Sequence, residues 1–137
     1  MKCQLVSKDT QHKRLNNYTH VDVDNLEVKT IPNHSAEQFI VDHVLCHVEP
    51  NKMQETIAYV ATKLRKGGQA VFSDTELTSL CKTTFERKKK IDFNSFILGK
   101  KNLHRFDMTM NILKGCGMTV LSSSLEEETY TIVVTKS

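Results

Sequence analysis

The chain has 137 residues, 39% hydrophobic and 26% charged, with a formal net charge of +3. That is about one domain of ordinary globular composition, and the charge is too small to argue nucleic-acid binding by itself. No apolar run approaches the roughly 18 residues of a membrane span, and the opening MKCQLVSKDTQHKR lacks the apolar region of a secretory signal.

Residues 2–6 (KCQLV) read as a first strand. Residues 7–17 are polar without an apolar stripe, so a loop is expected. Residues 18–23 (YTHVDV) alternate with a period of two and end among acids, Asp22 and Asp24. Residues 26–31 (LEVKTI) alternate as well and predict a third strand near an edge. The PNHS stretch that follows is a turn.

Residues 39–74 carry the strongest pattern. Phe39, Ile40 and Val41 form a short apolar run, the mark of a parallel strand buried on both faces. Pro50 suits a helix start, and Met53, Ile57, Ala61 and Leu64 recur on one helical stripe. Lys63, Arg65 and Lys66 favour the helix end, and Gly67-Gly68 is the expected stop. Ala70, Val71 and Phe72 then resume a strand. This is a βαβ unit with a right-handed crossover.

Residues 74–82 predict a short helix capped by Asp74 or Thr75, with Leu77, Leu80 and Cys81 facing inward. The run ERKKK is expected to be a solvated face, and residues 92–102 an apolar patch within a loop. Leu103, Phe106, Met110 and Leu113 lie on one helical stripe that Gly115 or Gly117 ends. Residues 118–121 and 129–134 form two closing strands joined as a hairpin, so the last strand is antiparallel. Together these predict one α/β domain with a mainly parallel sheet of six to seven strands.

Four cysteines are widely spaced without a CxxC pair, which favours reduced thiols and a cytoplasmic setting over a disulfide framework. His43, Cys46 and His47 carry metal-ligating groups at i, i+3 and i+4, but no fourth zinc ligand is evident at a suitable spacing. Cys46 beside either histidine could make a nucleophile, yet no acid or oxyanion element accompanies it. The basic clusters at residues 87–90 and Lys100-Lys101 could touch phosphates. They lack interleaved aromatics, so a solvated face is the simpler reading.

Taken in order, LNNYTHVDVD, IPNHSAEQFIVDHVLCHV, TKLRKGGQAVFSD and HRFDMTMNILKGCGMTVLSSS resemble the small class I S-adenosylmethionine-dependent methyltransferases. Members of that group read "pgyinvDid", "nsvDeIyashvLEHl" and "LkPGGrlvis" at these places. The resemblance implies a Rossmann-like domain and S-adenosylmethionine as cofactor. It places the cofactor site at the carboxyl ends of the first, second and fourth strands, lined by Ser7, Lys8, Asp9, Asp22, Asp42 and His43. Asp22 would accept hydrogen bonds from both ribose hydroxyls, and His43 would be a general base for a hydroxyl or amine acceptor.

Two departures from that pattern matter. The family's first loop is glycine-rich, whereas here it is Ser7-Lys8-Asp9-Thr10, with side chains where the backbone would approach the cofactor. Cys46 stands where the family has Glu. The expectation is therefore a methyltransferase-like protein with weakened or lost catalysis. The alternative is a non-catalytic module of the same fold that binds a protein partner or a second copy of itself.

Overall fold

Parallel pairing begins within the first six residues. In the computed structural model, β1 (Lys2–Val6) lies between β2 (Thr19–Asp22) and β3 (Ala36–Asp42), parallel to both. The residues described are 1–8, 14–27, 30–86 and 102–137. Pro50 opens a 3-10 turn (Pro50–Lys52) that leads into α1 (Met53–Lys63). The chain returns as β4 (Leu64–Thr75), parallel to β3, with Phe39 opposite Ala70 and Val41 opposite Phe72. After α2 (Leu77–Glu86) and α3 (Phe106–Gly115), β5 (Met118–Glu126) and β6 (Thr129–Lys136) form the antiparallel pair. The six-stranded sheet has the order β2-β1-β3-β4-β6-β5.

Among the described residues, the main core cluster lies on one side of this sheet. Phe39, Val41, Ala70, Phe72, Ile132 and Val134 are at most 1% exposed and meet Met53, Ile57 and Val60 of α1 and Leu113 of α3. Ile40 and Val71 point the other way and are only half-buried. The expectation of central strands buried on both faces is thus corrected. The apolar run supplies one core face and one partly covered face.

Other expectations change in ways the packing explains. Leu26 and Glu27 lie in a turn and Thr30 and Ile31 in irregular backbone, so the alternation at 26–31 does not pair as a third strand among the described residues. Ile31 is buried in the core from that loop. Gly67-Gly68 does not stop the helix. α1 already ends at Lys63, and Leu64 is extended and paired with Ala36. The glycines fall where the β3–β4 register shifts. Gly67 takes φ +76°, and a Cβ on Gly68 would lie 2.9 Å from the Arg65 carbonyl oxygen and 3.0 Å from that of Ala36. The KGG stretch is therefore a bulge that lets two backbones touch.

Asp74 and Thr75 belong to β4 rather than capping α2. The cap is Glu76, whose carboxylate accepts the Ser79 N–H at 3.1 Å and, with its other oxygen, the Phe106 N–H at 2.7 Å. One carboxylate, 2% exposed, caps two helices, so α3 starts at Phe106 rather than Leu103. Lys63 is half-buried: its ammonium lies over the Tyr59 ring and donates to Asn33 Oδ1. Residues 87–101, with both basic clusters and most of the apolar loop patch, lie outside the described residues. No described helix is long and apolar enough to cross a membrane.

Candidate functional site

After β1 the chain pairs β2 on one side and then crosses to place β3 on the other. In an open α/β sheet, the crevice at the carboxyl ends of strands where the order reverses is where ligands bind. Three predicted site residues end these strands: Ser7 directly follows β1, Asp22 ends β2, and Asp42 ends β3 with His43 next. Parallel pairing of β2, β1 and β3 brings these ends to one edge of the sheet. Lys8 is exposed beside them, and Asp9 lies outside the described residues.

Each side chain has a local task. Asp22 Oδ1 accepts the Asp24 N–H at 2.8 Å, and the Asp22 carbonyl accepts the Asn25 N–H at 3.1 Å, closing a tight turn after β2. Ser7 is buried, 4% exposed. The His43 N–H continues the ladder to β4 by donating to the Ser73 carbonyl at 2.7 Å, while His43 itself takes φ +53°. Its Nδ1 sits 2.6 Å from Asp42 Oδ1. With Nδ1–H donating to the carboxylate, Nε2 is the basic nitrogen of the ring.

The chain next forms a 3-10 turn (Leu45–His47) with all three residues buried. Cys46 donates its N–H to Asp74 Oδ2 at 3.0 Å and accepts the Asn102 N–H at 3.0 Å on its carbonyl. This is not the α-helical face on which His43, Cys46 and His47 would converge. No three His, Cys, Asp or Glu among the described residues could share a metal ion. No disulfide joins any of the four cysteines.

A cavity of about 570 Å³ opens between the turn after β2 and the segment leading into α1. Its wall includes Val23, Asp24, Leu26, Val48, Glu49 and Lys52. It adjoins the end of β2, but Ser7, Asp22, Asp42 and His43 do not line it. The volume is in the range of small-molecule sites.

A buried polar network lies beside this edge, and reading along the chain does not reveal it. His104, 3% exposed, has Nδ1 at 3.1 Å from the Asn102 carbonyl and Nε2 at 2.7 Å from the Tyr130 hydroxyl. A carbonyl only accepts, so the neutral ring carries its proton on Nδ1 and Nε2 accepts from Tyr130 O–H. Thr109 Oγ1, 3.0 Å away, then donates to the Tyr130 oxygen. Burial pushes the Tyr130 phenol far above its ordinary value, and the nearby Asp74 adds to the shift. In the sequence, Asp74 reads only as a candidate cap for the helix that follows.

No family model matches the chain, and no curated protein matches it. Solved structures do match by fold. A SAM-dependent methyltransferase from Archaeoglobus fulgidus aligns with a TM-score of 0.60 at 12% identity, over 88% of this chain and 68% of its own. An O-methyltransferase family protein from Burkholderia thailandensis aligns with a TM-score of 0.60 at 14% identity, over 85% of this chain and 33% of its own. Magnesium protoporphyrin IX methyltransferase from Synechocystis, solved with bound SAH, gives 0.58 at 13% identity, over 89% and 52%. The chain thus spans between one-third and about two-thirds of these proteins' length. The fold is class I methyltransferase-like: a mostly parallel six-stranded sheet with an antiparallel carboxyl-terminal pair.

Proposed function

We propose that this chain is a methyltransferase-fold module that keeps the nucleoside half of an S-adenosylmethionine site and has lost the half that holds the methionine end. The observation that carries this reading is the contrast between two strand ends. At β2, the Asp22 carboxylate offers an acceptor, and the cavity beside it, whose wall it does not form, offers room for a base. At β1, the strand runs into buried Ser7 and then Lys8, where a glycine would let the backbone approach a ligand. The side chains there do not fit the methionine end of such a cofactor. Binding is therefore weak, and the module acts by binding rather than by methyl transfer.

Calorimetric titration with S-adenosylhomocysteine and with adenosine tests this. Both should bind weakly and with similar affinity, because the amino-acid end adds no contacts. Asp22→Ala should weaken both by about 1.5–3 kcal/mol, the size of a hydrogen bond to a charged group. Homocysteine-linked nucleoside binding a hundredfold tighter than adenosine would show that the methionine half survives.

The Asp42–His43 contact favours a second reading, in which catalysis persists. An imidazole oriented by a carboxylate is a competent general base for a hydroxyl or amine. Under that reading, transfer of labelled methyl groups from S-adenosylmethionine to a cell extract is detectable and His43→Gln abolishes it. Label transfer unaffected by His43→Gln would dismiss His43 as the base.

A further inference from the structure

β5 is one of the two edge strands of the sheet and, among the described residues, pairs only with β6. Such an edge presents a row of N–H and C=O groups to any strand that can reach it, and proteins usually blunt it with charge, proline, brevity or a bulge. Here residues 118–125 (MTVLSSSL) contain no charge and no proline. The strand is nine residues long. Only the register shift at Leu121 interrupts it.

Two exposed leucines lie on the same strand. Four large hydrophobic residues are exposed among the described residues, and three of them, Met108, Leu121 and Leu125, belong to α3 and β5. Leu121 is 52% exposed and Leu125 47%. Leu125 pairs with Tyr130, whose hydroxyl meets Thr109, the neighbour of Met108.

We infer that β5 pairs antiparallel with β5 of a second copy of this chain, joining two sheets about a two-fold axis at Ser123. The register is set by the residues themselves. With Ser123 opposite Ser123, Leu121 of each copy faces Leu125 of the other, so the two most exposed leucines cover one another twice. The same register carries Glu126, Glu127 and Glu128 of one copy to the beginning of the partner strand. There the exposed Lys114 at the end of α3 supplies the opposite charge. In any other antiparallel register at most one of the two leucines faces a leucine.

Sedimentation over a concentration series provides the test. The unmodified chain should sediment as a concentration-dependent dimer, and Leu121→Lys with Leu125→Lys should be monomeric with its circular dichroism unchanged, since both side chains are already exposed. Lys114→Glu should weaken the dimer, and adding Glu127→Lys to it should restore association. Ser123→Cys should form an interchain disulfide on mild oxidation, while Ser122→Cys and Ser124→Cys should link less readily. A monomer at all concentrations overturns the inference. So does a dimer that survives the double lysine variant, which would place the contact elsewhere, such as the half-buried face of Ile40 and Val71.

Discussion

Asp74 is 0% exposed, yet its two oxygens accept the N–H groups of Cys46 and Thr75, at 3.0 and 2.7 Å. It therefore ties the 3-10 turn after β3 to the end of β4. Asp74→Ala should strand both donors at about 1–3 kcal/mol each, whereas Asp74→Asn keeps one acceptor and should cost less. Equal denaturation midpoints for the Ala variant and the parent would contradict this. Tyr130 is the second residue on which the interior depends. Tyr130→Phe leaves His104 Nε2 and the Thr109 hydroxyl without their shared partner, at a cost of about 1–3 kcal/mol. It also carries a pH signature. The folded phenol stays protonated far above the value of about 10 at which the unfolded phenol ionises. Above that pH the unfolded chain binds fewer protons than the native one, so stability falls as pH rises. Alkaline unfolding measured from pH 8 upward should be shallower in Tyr130→Phe than in the parent.

Among the elements, α1 and the β4 bulge make separate claims. Ile57 sits on the buried stripe of α1 at 0% exposure, and Ile57→Ala should cost about 2–5 kcal/mol. An unchanged melting temperature would contradict its place in the core. In the bulge the two glycines are needed for different reasons. Gly67→Ala forces a side chain to φ +76°, a strain of about 1–2 kcal/mol, with open space around it. Gly68→Ala drives a methyl group against two backbone carbonyls that cannot swing aside, and overpacking of that kind costs about 1–3 kcal/mol. The Gly68 variant should lose register between β3 and β4, seen as faster amide exchange in Gln69 and Ala70. Unaltered exchange would mean that the strands accommodate the methyl group.

At the scale of the molecule, the described core cluster of this largely parallel sheet lies on one face. Parallel sheets are ordinarily covered on both. The two faces of β4 offer the comparison. Phe72 is 1% exposed and packs with α1, so Phe72→Ala should cost about 3–5 kcal/mol. Its neighbour Val71 faces away, half-buried, and Val71→Ala should cost about 1 kcal/mol or less. Similar losses at both positions would show that the second face is as well packed as the first. The neighbouring proteins are longer than this chain, which covers 33% of one and 68% of another.

What the sequence by itself determined is local and periodic. The apolar run at Phe39, the stripe through Met53 and Ile57, and the closing hairpin strands all appear in the structure because side-chain periodicity reports backbone conformation within a few residues. The ends of the strands at Ser7, Asp22 and Asp42 were legible for the same reason. What needed the tertiary structure depended on partners far apart in the chain. The alternation at 26–31 suits a strand, but among the described residues it finds no neighbour to pair with. Gly67-Gly68 looks like a helix stop until Ala36, more than thirty residues away, lies against it. Glu76 caps a helix that begins at Phe106, and Tyr130 closes a network with His104 and Thr109. Only folding brings such residues together, since a hydrogen bond across thirty residues leaves no period in the chain that encodes it.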